Sequence, residues 1–390
     1  MITFEEATVI VAGEAKLLSV ESVNLAGCNG RVLANDVFSD TDMPPFNKSA
    51  VDGFACRRQD IEKQLHIVET IAAGQVPLIE IGVDECSRIM TGAMLPKGAD
   101  TVLMVEHTGM AGPDHIRFAG NVSATNICFL AEDIHKGDKV LSAGTRIRPQ
   151  HIAVLASVGC FAPKVYAKPV VGIISTGNEL VEPDEKVPKG KIRNSNAWQL
   201  LAQAQEAGCE ARYFGIAEDT PESTLEKIDL AEVECDIIIL TGGVSMGDYD
   251  YVPGVITEAG FKTLFQSIAV QPGKPSVFAV KDNKYLFGLP GNPVSSFVQF
   301  ELLVKTLINK ITGCTDPPVI VRLPLGKDYT RRRTDRKSFL PVKIILNEVF
   351  PLEYHGSAHI HAYVEADGII AVNIGETEIK KGTLADVRQL

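Results

Sequence analysis

Short apolar segments followed by glycine turns recur in the central part of the chain. Residues Ile237 to Leu240 form an unbroken aliphatic run that is too short for a helix and lacks polar alternation. This pattern predicts a strand that is buried on both faces of a parallel sheet. Residues Val170 to Leu180 and Tyr285 to Ser296 repeat the design, each with an apolar strand before a glycine turn. Because parallel strands of a doubly wound sheet end at one edge, the three turns are predicted to line one crevice.

The turns themselves contain residues that suit a binding site. Glycines let the backbone turn tightly and approach a ligand, and the hydroxyl and amide groups beside them can form hydrogen bonds. One such turn alone is equally typical of a simple tight connection, whereas three in one array favour a binding site. The candidate ligand-binding residues in these turns are Ser175, Thr176, Gly242, Gly243, Ser245, Asn292 and Ser295.

Alternating strand and helix patterns predict the order of the other elements. A helical apolar pattern covers residues 3–18, and Asn194 and Gly208 suit the beginning and the end of a later helix. The elements predicted for the central region are strand 170–175, helix 194–207, strand 211–215, a helix that begins near Pro221, strand 237–240, a helix after Asp250, a strand or strand pair within 262–279, strand 285–289 and helix 293–311.

Two other regions have the shorter spacing that is typical of all-β structure. Glycine and proline interrupt residues 64–140 every few positions, which predicts a small β module. Residues 317–390 carry several apolar strand patterns and predict a small β-barrel or sandwich. Ahead of the β module, a proline pair introduces Lys48, Ser49 and Asp52. These three side chains are either solvated polar groups at a domain entry or part of a site.

Composition and charge narrow the classes of function. The 390 residues suggest two to four domains, at roughly 150 residues each. A formal net charge of −11 disfavours broad binding to nucleic acid or to an acidic membrane. The chain begins without the pattern of a secretory signal and has no run of about 18 apolar residues, so a cytoplasmic protein is expected. The eight scattered cysteines form no CxxC pair and indicate neither a zinc site nor a disulfide framework.

A series of longer motifs resembles one protein family. In chain order they are PPFNKSAVDGFA, RIMTGAMLPKGADTV, LAEDIHKGD, STGNEL, KIRNSNAWQL, TGGVSMGDYDYV, QPGKP and GLPGNPVSS. Together they resemble the MoeA family of molybdopterin molybdenumtransferases, also represented by the gephyrin E domain, over essentially the whole chain. The resemblance implies an elongated homodimer in which a MogA-like domain of one subunit faces a small β module of the other.

The same resemblance implies an α/β multidomain fold with four parts. A central doubly wound MogA-like α/β domain is expected over residues 169–313, and a small β module over residues 44–138. An elongated accessory domain is expected from residues 1–43 together with 139–168. A C-terminal β-barrel is expected over residues 317–390.

For the activity, the resemblance implies the last step of molybdenum cofactor synthesis. Molybdate is inserted into the dithiolene of adenylylated molybdopterin, with loss of AMP and a requirement for Mg2+. A MogA-type adenylyltransferase and recipient molybdoenzymes are further candidate partners. The carboxylates and the hydroxyl at the family's important positions are Asp52, Thr91, Asp133, Glu179, Asp219 and Asp250. Ser245 and the segment Pro290 to Pro293 match its ligand-binding loops.

Because both substrates of that reaction are anions, a cleft rich in carboxylates needs cations beside it. Hard carboxylate oxygens suit Mg2+, and Glu179 and Asp250 are the candidate ligands. Carboxylates can also accept hydrogen bonds from the amino and ring N–H groups of a pterin. The other candidate substrate-binding side chains are Lys48, Ser49, Arg88 and Lys274, the last two for molybdate.

Departures from the family pattern leave alternatives open. Ser267 and Gln271 stand where catalytically competent relatives often have two lysines. Cys128 stands where a cation often precedes the acidic pair, and Ala131 replaces the usual glycine. One alternative is a divergent paralogue that binds a pterin or an oxyanion without turnover. Another is the MogA-type reaction, adenylyl transfer to molybdopterin, and the sequence does not choose molybdate over tungstate.

Overall fold

The structure is a computed structural model that describes residues 1–120, 124–243, 251–353, 356 and 358–390. Its α-helices are Phe4–Glu14, Pro149–Ser157, Asn196–Glu206, Pro221–Glu234, Val252–Glu258, Pro293–Gln299 and Lys305–Ile311. Short 3-10 helices are Leu25–Gly27, Arg58–Asp60, Val105–His107 and Ile360–Tyr363. Within these described ranges, no helix is both long and apolar enough to cross a membrane.

A six-stranded sheet forms the centre of the α/β domain. Its strands, numbered in chain order, are β1 (Val170–Thr176), β2 (Glu210–Ala217), β3 (Ile237–Thr241), β4 (Lys262–Ser267), β5 (Pro275–Lys281) and β6 (Lys284–Leu289). The order across the sheet is β2-β1-β3-β6-β5-β4. Strands β2, β1, β3 and β6 are parallel, whereas β5 is antiparallel to both of its neighbours. The predicted parallel array is therefore confirmed, and the region 262–279 contains the strand pair.

Strand β3 is covered on both faces, as its apolar run predicts. Ile237 and Ile239 lie in one hydrophobic core, and Ile238 and Leu240 lie in a second core on the opposite face. All four side chains are fully buried, and burial of an aliphatic side chain of this size stabilises the fold by about 1.5–3 kcal/mol. Both cores therefore hold the strand in place up to Thr241, where the candidate site begins.

The first helix, Phe4–Glu14, packs against the α/β domain. Its Ala7 and Val11 side chains are fully buried in the core that also contains one face of β3. The helix ends four residues earlier than predicted, and beyond its end the backbone N–H of Lys16 donates to the Tyr285 hydroxyl over 2.8 Å. The N-terminal segment therefore completes a core whose other members lie far along the chain.

The last helical segment of the α/β domain contains an irregular turn. Pro293–Gln299 and Lys305–Ile311 are α-helical, whereas Phe300–Val304 between them forms a π-helical turn. All five residues of this turn are buried. The predicted long helix over 293–311 is therefore confirmed. The sequence did not predict its π turn, because residues that are buried on every side carry no apolar periodicity that distinguishes the two kinds of turn.

Residues 44–138 form a second sheet, in agreement with the short strand spacing. In sheet order its strands are Thr101–Met104, Gly53–Cys56, Glu85–Ile89, Gln64–Ile71, His115–Phe118 and Thr108–Met110. Lys48–Ser49 pairs separately with Ile127–Cys128. The carbonyl of Ser49 accepts a hydrogen bond from Gly92 N over 2.8 Å, which fixes the glycine turn after strand Glu85–Ile89 beside this pair.

The segments on either side of the β module pair with each other. Val20–Ser22 pairs with Lys164–Tyr166, and Val37–Phe38 pairs with Lys139–Leu141. A small hydrophobic core joins them to helix Pro149–Ser157. Such contacts are expected if residues 1–43 and 139–168 form one accessory domain from two separate stretches of the chain.

The C-terminal region contributes most of a third sheet. In sheet order its strands are Val270–Gln271, Lys337–Ile345, Gly368–Val372, Leu384–Gln389 and Ile320–Pro324. Glu348–Pro351 also pairs with the second of these strands, and Tyr329–Thr330 pairs with Glu378–Ile379. Because Val270–Gln271 belongs to the α/β region of the chain, this sheet crosses the predicted boundary at residue 317. The closed barrel stays a prediction.

Candidate functional site

Three glycine turns meet at the carboxyl edge of the central sheet. Gly242 follows β3 with φ +104°, and a Cβ at this position would lie 2.4 Å from the Thr176 carbonyl oxygen. A Cβ at Gly291, in the turn after β6, would lie 3.5 Å from the Cα of Gly242. The backbone N–H of Gly242 also donates to Leu289 O over 3.1 Å. The predicted convergence of the three turns is therefore confirmed, and Gly242 is packed too closely to carry a side chain.

A cleft of about 310 Å³ opens between these turns. Its wall includes five of the sequence candidates, namely Ser175, Thr176, Glu179, Asn292 and Pro293. Pro290 lies one residue before Gly291, and Ser295 is buried in the first turn of the helix that begins at Pro293. The cleft therefore unites candidates from β1 and β6 at one place.

Two carboxylates stand beside the turn after β1. The Asp219 Oδ2 atom accepts a hydrogen bond from Asn178 N over 2.8 Å, and Asp219 N donates in return to Asn178 Oδ1 over 3.2 Å. The Glu179 carboxylate lies against Gly177, where a Cβ would be 2.5 Å from Glu179 Oε2. Both acidic side chains are exposed. Thr220 caps the next helix, because its hydroxyl oxygen accepts a hydrogen bond from Ser223 N. Asp219 is therefore not the capping residue of that helix.

Buried amides link the turns, and the sequence predictions did not assign this role. Asn196 Nδ2 donates to Thr241 Oγ1 over 3.0 Å and to Gly291 O over 2.8 Å. Ser175 Oγ donates to Asn194 Oδ1 over 3.0 Å. The signal available in the sequence is the segment NSN after a short loop, which suits the beginning of a helix and lies within the motif KIRNSNAWQL. Asn194 and Asn196 position the site by fixing the ends of β1, β3 and β6.

One hydroxyl in the cleft is buried without a partner. The Thr176 side chain is 3 % exposed, and its Oγ1 has no hydrogen-bond partner among the residues that the structure describes. A Cβ at Gly242 would lie 2.7 Å from this oxygen, and one at Gly243 would lie 3.2 Å from it. A buried hydroxyl without a hydrogen bond costs free energy, so a ligand that donates to or accepts from Thr176 gains affinity at this point.

The small β module holds a second group of candidates. Asp52 Oδ1 accepts two hydrogen bonds from Thr91, one from its backbone N–H over 2.7 Å and one from its hydroxyl over 2.8 Å. These two bonds, the backbone one first, hold the pKa of Asp52 below its usual range. Asp52 is exposed and is therefore ionised at neutral pH. The acidic residue and the hydroxyl that the sequence analysis selected separately form one unit.

The other candidates of the β module differ in accessibility. Ser49 is buried and its hydroxyl donates to Val51 O over 2.5 Å, so this hydroxyl has a structural partner. Lys48 is partly exposed, Arg88 points outward from strand Glu85–Ile89, and Asp133 is exposed. Among the described residues, no hydrogen bond or ion pair joins residues 44–138 to residues 169–313. The two groups of candidates are therefore not joined by described hydrogen bonds or ion pairs within one chain.

The positions of the missing lysines lie at the same edge of the sheet. Ser267 ends β4, and Gln271 is half-buried in a strand that pairs with Ser338. Lys274 follows in the turn before β5, and it is exposed. Ser245 and Asp250 lie outside the described residues.

Ala131 adopts the backbone conformation that favours glycine, with φ +59°. We expect Ala131→Gly to raise the free energy of unfolding by about 1 kcal/mol, because a side chain in the left-handed region costs roughly 1–2 kcal/mol and glycine loses part of this gain through its freer unfolded state. Denaturant unfolding measures the change. Ala153→Gly, in the middle of an α-helix, is the control and is expected to lower stability by about the same amount. Equal destabilisation by both substitutions would contradict the expectation.

Comparison with known proteins gives matches along the chain. Residues 2–159 match the model of the MoeA N-terminal region, domains I and II. Residues 172–310 match a probable molybdopterin binding domain, and residues 322–390 match the MoeA C-terminal region, domain IV.

Individual relatives match over nearly the whole chain. A molybdopterin molybdenumtransferase of Staphylococcus epidermidis is 35% identical over 378 residues, covering 94% of this chain and 90% of the relative. One of Staphylococcus aureus is 34% identical over 401 residues, covering 99% and 95%. The crystal structure of a molybdopterin biosynthesis MoeA protein from Pyrococcus horikoshii OT3 covers all of both chains with a TM-score of 0.85 and 28% identity.

Proposed function

We propose, since this chain belongs to the MoeA family of molybdopterin molybdenumtransferases, that it inserts molybdate into adenylylated molybdopterin with release of AMP. The family makes the chain a transferase of molybdenum cofactor biosynthesis. The observation that carries the proposal is the contact of Gly242 with Thr176 and Gly291, because it gathers the polar ends of three strands around one cleft. The departures at Ser267 and Gln271 are the feature on which the alternative of a binding protein without turnover rests, and the second alternative is an adenylyltransferase.

Each group in the cleft has a task that its chemistry suits. The N-terminus of the helix at Pro293 suits a phosphate oxygen through the positive end of the helix dipole, while the N–H groups of Ser295 and Ser296 already donate to Asn292 O. Asp219, beside the turn after β1, offers an exposed carboxylate that can accept hydrogen bonds from donor groups of the substrate. Thr176 supplies a hydroxyl that has no other described partner. These groups bind and orient the substrate, while the close packing of Gly242 keeps the three turns together.

Mg2+ is the cofactor of the proposal. Glu179 and Asp250 are the proposed ligands, and the exposed carboxylate of Glu179 suits the ion because Mg2+ prefers hard oxygen atoms and keeps several of its waters. Among the described residues, no group of three or more His, Cys, Asp or Glu side chains could hold a metal ion. When bound, the ion supplies Lewis-acid polarisation of a phosphate oxygen.

In our proposal, the complete active site lies between the two subunits of a homodimer. Asp52, Thr91 and Asp133 belong to the small β module, and they would complete the cleft of the partner subunit in a homodimer. The resemblance to the MoeA family, which implies a MogA-like domain of one subunit facing the β module of the other, supports this arrangement. The four domain boundaries, the C-terminal barrel, the partner proteins and the cytoplasmic location belong to the same proposal.

The experiment that tests the function is genetic complementation. We expect the chain to restore molybdoenzyme activity in a strain that lacks molybdate insertion, and the test is run with and without excess molybdate. A strain that lacks molybdopterin adenylylation serves as the control and is expected not to recover. Failure in the first strain at every molybdate concentration would contradict the proposed transfer, and recovery of the second alone would favour the adenylyltransferase.

The missing cations predict that the protein binds molybdate weakly and in a way that depends on Mg2+, with Lys274 as the principal remaining side-chain cation. Gln271→Lys, alone or with Ser267→Lys, is expected to lower the molybdate concentration for half-maximal insertion about tenfold, because a charge-assisted hydrogen bond contributes about 1.5–3 kcal/mol. Lys274→Ala is expected to raise it by a similar factor. Insertion rate against molybdate, at fixed Mg2+, measures each value. If all three variants leave the curve unchanged, backbone amides rather than side-chain cations hold the oxyanion.

A further inference from the structure

A second, larger depression of about 890 Å³ lies next to the cleft. We call it the aromatic groove and define it by Glu182, Pro183, Asp184, Arg193, Trp198 and Tyr213. It is continuous with the cleft, since Arg193, Asn194 and Ser195 line both. A ligand bound in the groove can therefore extend directly to Glu179 and the glycine turns.

The groove presents rings to solvent. The Trp198 side chain is 51 % exposed, an unusual exposure for the largest apolar side chain, and its ring centroid lies 5.9 Å from that of Tyr213. The two rings are tilted by 48° and do not cover each other. One face of Trp198 is thus available for stacking with a flat heterocycle, which is a favourable contact for any aromatic ring system.

One oxygen of the Glu182 carboxylate, in the wall of the groove, has no hydrogen-bond donor among the described residues. Glu182 Oε1 accepts from the Tyr213 hydroxyl over 2.5 Å, whereas its Oε2 is buried without a hydrogen-bond partner in the described part of the chain. Burial, and secondarily this carboxylate, raise the pKa of Tyr213, so its hydroxyl stays protonated and donates. Glu182 is one of the residues that line the groove. A ligand N–H there would satisfy an acceptor that is otherwise costly to bury.

We infer that the aromatic groove binds the pterin ring system of the substrate, with the phosphate end in the cleft. The pterin 2-amino group and N3–H form a pair of adjacent donors that matches one carboxylate, whereas adenine has no such pair. Arg193, whose Nε donates to Pro183 O over 3.0 Å, stands between groove and cleft with a positive charge. This inference rests on the proposed function only for the identity of the substrate.

Trp198 is the one tryptophan of the chain, so its fluorescence reports on this groove directly. Titration of the wild-type protein with 6-hydroxymethylpterin is expected to quench the emission to saturation, and AMP at the same concentrations is expected to have little effect. Glu182→Gln is expected to weaken pterin binding about tenfold or more, since a hydrogen bond to a charged group is lost. Trp198→Ala, followed by calorimetry, is expected to weaken it about fivefold or more through the loss of stacking.

Val233→Ala, on an exposed helical position of the same domain, is the matched control and should bind pterin as the wild type does. Thermal unfolding of every variant separates weak binding from misfolding. Wild-type pterin affinity in both groove variants overturns the inference, whether or not molybdate insertion is observed. If molybdate insertion fails while pterin still quenches the Trp198 fluorescence, the proposed function is overturned and the inference about the groove stands. If the Trp198 fluorescence changes with protein concentration but does not respond to pterin, the groove is a contact between two copies of the chain. This outcome also overturns the inference.

Discussion

Glu179→Gln is expected to lower the rate of molybdate insertion about a hundredfold or more, because removing one oriented electrostatic group from an active site typically costs 10²–10³ in rate. The substitution keeps the size of the side chain and removes only its charge. Glu179 is exposed and forms none of the buried contacts that hold the cleft together, so the folded state loses little. The unfolding temperature is therefore expected to stay within the error of the measurement.

The matched control for this prediction is Glu185→Gln, an exposed glutamate in the same loop region that is absent from the wall of the cleft. Its insertion rate is expected to equal that of the wild type. Insertion from purified adenylylated molybdopterin and molybdate gives both rates. If Glu179→Gln inserts molybdate as fast as Glu185→Gln does, Glu179 has no part in the chemistry.

Mixing two inactive variants is expected to restore activity. Asp52→Ala disables the β module and Glu179→Ala disables the cleft, so a hybrid dimer has one intact site built from the unaltered half of each chain. Random exchange of subunits makes half of the dimers hybrid, each with one of two sites intact, so recovery is expected to approach about a quarter of wild-type activity.

A mixture of Glu179→Ala with Asp219→Ala is the control for this rescue. Both substitutions alter the same cleft, so every site of their hybrid dimer carries one defect and no activity should return. Subunit exchange is checked with differently tagged chains, and sedimentation gives the oligomeric state. Rescue in both mixtures, or a monomeric protein, would rule out a site shared between subunits.

The apolar pattern predicted the central sheet well because burial on both faces leaves a direct mark in the sequence. Strand β3 is an example, since Ile237 to Leu240 alternate between two cores. The π turn at Phe300–Val304 left no mark, because its residues are buried on all sides and any helical period fits them. Local pattern thus determined which elements form, and tertiary packing determined their irregularities.

The candidate site was predictable only in part for a similar reason. The glycine turns were visible because a close approach of backbones excludes side chains, as at Gly242. The roles of Asn194 and Asn196 were hidden, because their partners Ser175, Thr241 and Gly291 are brought near only by the folded sheet. Ser49 looked like a ligand in the sequence, and the fold uses its hydroxyl for Val51.

The burial of Ala7 and Val11 in the core of the α/β domain affects how the protein is made on the ribosome. The helix Phe4–Glu14 is synthesised long before its packing partners, which extend to Phe339. At 5–20 residues per second, the helix waits about 15–60 s for the roughly 300 residues that complete its core. During that interval its apolar face has no native partner in the nascent chain. Translation speed and chaperone supply should therefore influence the yield of this domain more than the folding of residues 44–138, whose sheet is complete soon after it emerges.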